Sequence, residues 1–341
     1  MVSKRCGNGC VRVEGSDFPV SCPICGEPAS SRPVRVRNGK EVMLWHCAPC
    51  EYDFFTYDPT SGLAANKLDE SRLKASGLDI PTQDADFVNG LKQSRPLIDE
   101  YVNDGDRGRN ILEIGCSWGY FLKLVQDAGA SPFGIEVNLL RARYVNENLK
   151  IPCFSDIEVC KLRGMRFHKI FLFYVLEYIP QPVAYLQRLI EMLDDGGSLI
   201  VITPNLNDAI KDLYRNEGFH NFFYDEFSIN YFTEDSVRQI GNKLRCRSMK
   251  IETRQGYSFI NHINWYLIKA PRTTNVVGGD NFVPDLLGSL RPASGSVQGW
   301  NKQQSIPARE LSDLIREFDA NYRKILEKHG YGNQIRFIVE K

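Results

Sequence analysis

Two pairs of cysteines near the N-terminus have a spacing that indicates metal chemistry. Cys22 and Cys25 form one Cys-x-x-Cys pair, and Cys47 and Cys50 form another after 21 intervening residues. Two residues between thiolates let one tight turn direct both sulfurs at a single ion, and two such turns supply a tetrahedral zinc site. Because four thiolates leave no position for water, we expect this zinc to be structural rather than catalytic.

The segment between the two pairs has the pattern of a β-hairpin. Apolar residues alternate along both halves of the segment, at Val34, Val36, Val42 and Leu44. Asn38-Gly39 between them is a favoured two-residue turn. A hairpin with a cysteine pair at each open end is a zinc ribbon, and we assign residues 1–55 to it. Its apolar core is small, so zinc binding, on the order of 10 kcal/mol, is expected to supply its folding energy.

The remaining cysteines lack this regular spacing. Cys6 and Cys10 form either a second, incomplete site or part of a frayed terminus. Four others are scattered among apolar neighbours and are expected to be small buried residues: Cys116, Cys153, Cys160 and Cys246. An alternative, in which one Cys-x-x-Cys pair is redox-active, would need an adjacent βαβ unit, and none is near.

Composition and charge limit the class of protein. The chain has 341 residues, 43% hydrophobic and 25% charged, which excludes global disorder and suggests two compact units or one domain with an insertion. Lys plus Arg and Asp plus Glu both number 42, so long-range attraction to a polyanion does not organise the chain. No apolar run approaches the roughly 20 residues of a membrane span, and the N-terminus lacks the apolar core of a secretory signal. We therefore expect a cytoplasmic protein without a membrane partner.

A second chemical pattern begins at residue 110. Residues 110–125 have the sequence of a short buried strand, a glycine turn and an amphipathic helix, and a second strand follows at 132–137. This βαβ arrangement begins a doubly wound sheet that binds a nucleoside-bearing cofactor at the strand carboxyl ends. Glu136, at the end of the second strand, lies 21 positions after Gly115, close to the spacing at which a carboxylate meets ribose hydroxyls.

The glycine turn does not match a dinucleotide site. The GxGxxG fingerprint would require glycine where Ser117 and Tyr120 stand. The observed order, Glu113-x-Gly115-x-x-x-Gly119, resembles that of class I S-adenosylmethionine-dependent methyltransferases. The resemblance implies S-adenosylmethionine as cofactor. It also implies a set of cofactor-binding residues: Glu113, Gly115, Cys116, Gly119, Glu136, Asp156, Ile157 and Tyr174.

Further segments extend the resemblance over residues 108–341. The block from Phe167 to Pro182 is similar to the family's fourth strand and the turn after it, and 194–205 to its fifth strand. The family implies an α/β fold with a doubly wound, mostly parallel sheet of seven strands. We assign 56–107 to a linker and helical lead-in, and 108–341 to the methyltransferase domain. Insertions are expected at about 205–230 and 258–307, where the family forms the roof of its active site; 273–307 is either mobile or an acceptor-binding flap.

The methyl acceptor is less well defined by the sequence. A zinc ribbon followed by a methyltransferase domain resembles bacterial enzymes that methylate sugars or nucleotide-sugars in glycan and antibiotic pathways. His220, Tyr224 and Glu226 are the candidate catalytic residues in the first insertion, each with a packing or capping role as the alternative. Some relatives have a second histidine where Phe227 stands here, which weakens the inference of sugar C-methylation.

Two other functions are possible on these residues. Some ribosomal or transfer RNA methyltransferases share this order of parts, and the hairpin is locally basic at Arg32, Arg35, Arg37 and Lys40. The neutral chain and the absence of an Asn-Pro-Pro-Tyr-like motif after the fourth strand speak against RNA. A non-catalytic zinc-ribbon scaffold is the other alternative, and the intact cofactor-binding pattern speaks against it.

Overall fold

The computed structural model describes residues 20–56, 84–225, 227–268 and 305–341. Cys6, Cys10 and Glu226 lie outside the described residues, as do most of the predicted linker and segment 273–304. Within the described residues, no helix has the length and apolar character needed to cross a membrane.

The described chain contains eleven strands and nine α-helices. The strands are β1 Ser30–Arg35, β2 Glu41–Cys47, β3 Tyr52–Phe54, β4 Asn110–Ile114, β5 Ser131–Ile135, β6 Cys153–Phe154, β7 Phe167–Phe173, β8 Leu193–Pro204, β9 Asn230–Tyr231, β10 Ser248–Arg254 and β11 Gln334–Glu340. The helices are α1 Asp84–Tyr101, α2 Tyr120–Asp127, α3 Leu139–Glu147, α4 Ile157–Leu162, α5 Pro182–Glu191, α6 Glu217–Phe223, α7 Glu234–Gly241, α8 Phe259–Ile268 and α9 Ser305–Lys328.

The larger sheet has seven strands in the order β10-β11-β8-β7-β4-β5-β6. The pairs from β8 to β6 are parallel, whereas β11 is antiparallel to both β8 and β10. Four residues of β4, Ile111 to Ile114, are buried, as expected for a parallel strand covered by helices on both faces. The predicted α/β doubly wound sheet of seven mostly parallel strands is confirmed.

Helix α1 contains an interior proline. It continues through Pro96 to Tyr101. Proline costs an interior helix about 3 kcal/mol or more in lost bonding and steric conflict. Ile98 and Tyr101 are buried against the sheet, and this tertiary packing offsets the local cost.

The smaller sheet has four strands in the order β1-β2-β3-β9. The predicted hairpin is β1 and β2, but its loop has three residues, 37–39, because the Val36 N–H donates to the Lys40 carbonyl oxygen. Gly39 has φ +83°, a conformation that a side chain disfavours. Strand β9 belongs to the segment after α6, so the ribbon sheet includes a strand from the first insertion.

The two expected insertions carry helical structure where they are described. The first contains a π-helical turn, Ala209–Leu213, followed by α6. The second begins with α8, and its described part ends at residue 268. The loops after β7 and β8 and the start of β11 meet at the carboxyl edge of the parallel strands, which is where a doubly wound sheet binds ligands.

Candidate active site and metal centre

The four paired cysteines converge on one point. The sulfur atoms of Cys22, Cys25, Cys47 and Cys50 all lie within 4.8 Å of one another, and the cysteines are not in disulfides. The N–H groups of Ile24 and Glu27 point at the sulfurs of Cys22 and Cys25, each 3.4 Å away.

This donor set fits a tetrahedral zinc. Burial raises the pKa of the Cys47 thiol to about 12. Zinc binding would displace the proton of this thiol, because the thiolate is the ligand form of cysteine.

The glycine turn after β4 needs its glycines. Gly115 has φ +72° and Gly119 has φ +77°. A Cβ on Gly115 would lie 2.6 Å from Val175 Cγ2, and one on Gly119 would lie 2.8 Å from Leu149 Cδ1. The backbone N–H groups of Gly115 and Cys116 both donate to the Ile135 carbonyl oxygen, at 2.7 and 3.1 Å. The turn is therefore fixed against the end of β5, with no room for larger residues.

Glu136 links the two strand ends of the crevice. Its Oε2 accepts a hydrogen bond from the Ser117 N–H at 2.9 Å, and its Oε1 accepts one from the Asn138 N–H at 2.8 Å. Each carboxylate oxygen can accept a second bond, so the predicted contact with ribose hydroxyls remains compatible with this geometry. The carboxylate also holds the glycine turn, a role that sequence spacing did not show.

Glu113 lies beneath the same turn with one unpartnered oxygen. Its side chain is buried, and Oε2 has no hydrogen-bond partner among the described residues. Burial, with the nearby charge of Glu136, raises its pKa well above the ordinary value. A buried carboxyl without a partner is costly, so a cationic or donor group of a ligand would fit beside it.

The other predicted cofactor residues differ in burial and in their hydrogen bonds. Cys116 is buried, with its sulfur 3.7 Å from that of Cys153. Asp156 is exposed, and its Oδ1 caps α4 by accepting the Glu158 N–H. Ile157 is buried, whereas Tyr174, at φ +57°, is 43% exposed. The contact of these residues with a cofactor stays a prediction.

Two exposed apolar side chains beside the crevice were missed in the sequence. Val137 is 51% exposed and Leu139 is 70% exposed, and both lie within three positions after Glu136. Exposed apolar groups next to a carboxylate at a strand end suit a flat aromatic ring of a ligand. Their position shortly after the strand-terminal acid was the signal that could have identified them.

A cavity of about 760 Å³ lies beside the smaller sheet. The smaller sheet contributes three lining residues: Arg32, His46 and Asp53. The first insertion contributes Leu206, Asn207, Lys211, Asp212, His220 and Tyr224. Its remaining lining residues are Glu234, Asp235, His329, Gly330 and Tyr331. The cavity is therefore polar, with acids, bases and cations facing one space.

Asp53 joins the ribbon to Tyr224 at this cavity. Its Oδ2 accepts hydrogen bonds from the Tyr224 Oη at 2.9 Å and from Arg32 at 3.1 Å, and its Oδ1 lies 2.8 Å from His46 Nδ1. Burial and the charge of Asp53 raise the pKa of Tyr224, so its hydroxyl stays protonated. Asp53 was not a sequence candidate, because only the tertiary fold brings these partners together.

His220 lies on α6 with its ring 5.5 Å from that of Tyr224. Its ring nitrogens have no hydrogen-bond partner among the described residues. Burial, with the positive charges of Lys211 and Arg32, lowers its pKa, so the imidazole is neutral near pH 7. A neutral imidazole facing a cavity can accept a proton. The structure thus brings His220 and Tyr224 together.

His262 lies in a separate buried network. Its Nδ1 is 2.6 Å from the Tyr322 Oη, and its Nε2 is 3.0 Å from the Gln255 amide nitrogen. Burial lowers its pKa to about 4. His262 connects α8 to α9 and is absent from the cavity lining.

Comparisons with known proteins agree with the crevice geometry. Residues 89–244 match a family model described as a methyltransferase domain. A ubiquinone biosynthesis O-methyltransferase of Glaesserella parasuis is 28% identical over 124 residues, covering 32% of this chain and 52% of that protein. The enzyme of that name from Coxiella burnetii is 27% identical over 108 residues, covering 30% and 46%. The chain thus spans about half the length of these curated relatives.

Solved structures are similar at a lower level. A SAM-dependent methyltransferase from Archaeoglobus fulgidus has a TM-score of 0.44 and 14% identity, covering 74% of this chain and 94% of that one. The family match and the strand order support the predicted S-adenosylmethionine cofactor. Residues 89–244 therefore match a methyltransferase domain, which agrees with the enzyme class predicted from the sequence.

Proposed function

We propose that this protein binds S-adenosylmethionine beyond β4 and β5 and methylates a polar small molecule in the cavity beside the smaller sheet. The carrying observation is the pair of buried carboxyls at the glycine turn, Glu136 hydrogen-bonded to the turn and Glu113 with an unpartnered oxygen. S-adenosylmethionine presents ribose hydroxyls, which can fill the remaining acceptor positions of Glu136, and an amino group, which can donate to the unpartnered Glu113 oxygen.

Each residue of the crevice has a defined part in this proposal. Glu136 accepts hydrogen bonds from the ribose, and Val137 and Leu139 cover the adenine ring. Glu113 accepts a bond from the amino group of the methionine portion, directly or through water. The bound cofactor supplies a methyl group on a sulfonium, and the chain supplies alignment, which accounts for much of the rate in an in-line displacement.

The cavity supplies the acceptor side of the reaction. A hydroxyl or carbon acceptor must lose a proton, and the neutral His220 ring is placed to take it. Tyr224, fixed through Asp53, orients the acceptor or its neighbouring hydroxyls. Glu226, the third catalytic candidate, lies outside the described residues.

The lining favours a sugar or nucleotide-sugar acceptor. Charged and amide side chains from the smaller sheet and from the loops and helices around it face the space, and Leu206 is the one aliphatic residue of the lining. Such a surface can hydrogen-bond many hydroxyls and does not suit a long apolar chain. We therefore expect a polyhydroxylated acceptor rather than one with a long apolar chain.

Two arginines of the ribbon make contacts within the protein. Arg32 pairs with Asp53, and Arg37 donates to the Phe222 carbonyl oxygen with its guanidinium 3.9 Å from the Phe222 ring centroid. A hairpin whose cations contact the first insertion has fewer of them available for phosphates. This arrangement supports a small acceptor over RNA.

Calorimetry with S-adenosylhomocysteine tests the cofactor part of this proposal. We expect one molecule bound per chain; no binding by zinc-loaded protein would instead support the scaffold function. A panel of nucleotide-sugars, catechols and transfer RNA with radiolabelled S-adenosylmethionine then tests the acceptor. Label in nucleotide-sugars is expected, and label confined to catechols or RNA would contradict the proposed acceptor.

A further inference from the structure

Strand β3 of the ribbon presents its side chains to two different regions. Asp53 faces the cavity, whereas Tyr52 points into the core beneath it and is fully buried. The Tyr52 ring stacks on Phe54 at 5.3 Å and on Phe232 at 5.4 Å between ring centroids. Its hydroxyl donates a hydrogen bond to Asn230 Oδ1. This buried phenol therefore connects β3 to Asn230, in addition to the backbone pairing between β3 and β9.

Asn230 also hydrogen-bonds to the turn after β7. Its amide nitrogen lies 2.8 Å from the Ile179 carbonyl oxygen, 3.1 Å from that of Leu176 and 3.4 Å from that of Glu177. The side chain is buried, so its orientation is fixed: the NH₂ must face the carbonyls, and Oδ1 must accept from Tyr52. One amide thus joins the ribbon to the turn at 176–179.

That turn continues directly from the segment that borders the cofactor crevice. Val175 packs against Gly115, and Tyr174, a predicted cofactor residue, is held by its N–H bond to the Ile202 carbonyl oxygen at 2.8 Å. A shift of the 176–179 turn would move Val175 towards or away from the glycine turn. The width of the crevice therefore depends on where this turn is held.

We propose that Asn230 is a positioning residue for the cofactor crevice and that, with Tyr52, it couples the position of the ribbon to cofactor affinity. This inference rests on the proposed function, because it concerns the same crevice. The ribbon then has a second role besides forming a wall of the cavity. Its attachment through Tyr52 and Asn230 holds Val175 at the distance from Gly115 that the cofactor needs.

Two variants separate this role from general stability. Asn230→Asp keeps the shape and the acceptor for Tyr52 but replaces the donating NH₂ with an oxygen facing three carbonyls. We expect the Kd for S-adenosylhomocysteine to rise roughly tenfold, the equivalent of about 1.4 kcal/mol. Tyr52→Phe removes only the hydroxyl and leaves the ring packing. We expect a smaller rise in Kd, about threefold, from this milder change.

Thr233→Val provides the matched control. The Thr233 Oγ1 donates to the Glu51 carbonyl oxygen at 2.8 Å, which is another buried ribbon contact, and it accepts the N–H that caps α7. Thr233 donates nothing to the 176–179 turn. We expect this variant to lose unfolding free energy, as the others do, while its Kd for S-adenosylhomocysteine stays that of the wild type.

Calorimetry with S-adenosylhomocysteine, with zinc content and melting temperature measured on the same samples, decides the outcome. Weaker binding in Asn230→Asp and Tyr52→Phe, with about one zinc per chain and normal binding in Thr233→Val, supports the coupling. Wild-type binding in both variants overturns it, as does an equal loss in Thr233→Val. If Asn230→Asp does not fold, Tyr52→Phe alone decides. Failure of the wild type itself to bind would refute the proposed function.

Discussion

Substitution of Gly115 by alanine tests the geometry of the cofactor turn with a single methyl group. An L-residue at φ +72° costs roughly 1–2 kcal/mol in backbone strain. The added Cβ would also meet Val175 Cγ2 at 2.6 Å, and overpacking of this kind costs about 1–3 kcal/mol. Gly115→Ala should therefore lower the free energy of unfolding by roughly 2–5 kcal/mol. Because Val175 borders the crevice, cofactor affinity should fall as well.

Gly164→Ala is the matched control for this prediction. Gly164 has φ +63°, and a Cβ added there would meet nothing within 4 Å. Its cost should be the backbone strain alone, about 1–2 kcal/mol, with no effect on binding. Urea unfolding and calorimetry with S-adenosylhomocysteine measure both quantities in both variants. Equal losses of stability and unchanged affinity in Gly115→Ala would refute the assignment of this turn to the cofactor.

Four further predictions concern the acids, the thiols and the histidines. Glu136→Ala should weaken S-adenosylhomocysteine binding by about a hundredfold or more in calorimetry, because the ribose loses its acceptor and the glycine turn loses a charged hydrogen-bond partner. Unchanged affinity would show that the cofactor binds elsewhere. Metal analysis should find about one zinc per chain, lost when Cys22 and Cys25 are both changed to Ser, and retention in that variant would argue against the four-sulfur site. His220→Asn should reduce kcat at least about a hundredfold on the acceptor found in the panel, since a proton acceptor contributes about 10²–10⁴-fold, and it should leave cofactor affinity unchanged. A normal kcat would show that His220 is not the base. The pKa of His262 in the folded protein, about 4, is below its usual 6.5, so the unfolded chain binds this proton first and stability is lost as pH falls from 6.5 towards 4. Relative to His262→Gln, the wild type should lose on the order of 3 kcal/mol of unfolding free energy across that range, measured by urea unfolding. Parallel pH profiles of the two proteins would contradict the lowered pKa of His262.

The large sheet and the glycine turn after β4 were predictable because their signals are local. Strands β4 and β5 are short apolar runs, and Gly115 and Glu136 follow their ends directly. The cysteine pairs are equally local, since two residues between sulfurs define each turn. For such features the chain within a few residues determines the geometry, and the sequence contains that information.

The features that were missed depend on contacts between distant parts of the chain. Strand β9 has only two residues, and it forms because Asn230 and Tyr231 meet β3 of the ribbon. Asp53 gains its importance from Tyr224, 171 positions later, and no local pattern marks that pairing. Helix α1 shows the same limit, because packing of its last turns outweighs the cost of Pro96.

A crystal structure of the protein with bound S-adenosylmethionine is the most direct test of the central claim. The account predicts the ribose hydroxyls on the Glu136 carboxylate, the amino group near Glu113, and the methyl group directed towards the cavity that His220 and Tyr224 line. A cofactor bound elsewhere, or NAD bound in this crevice instead, would contradict it.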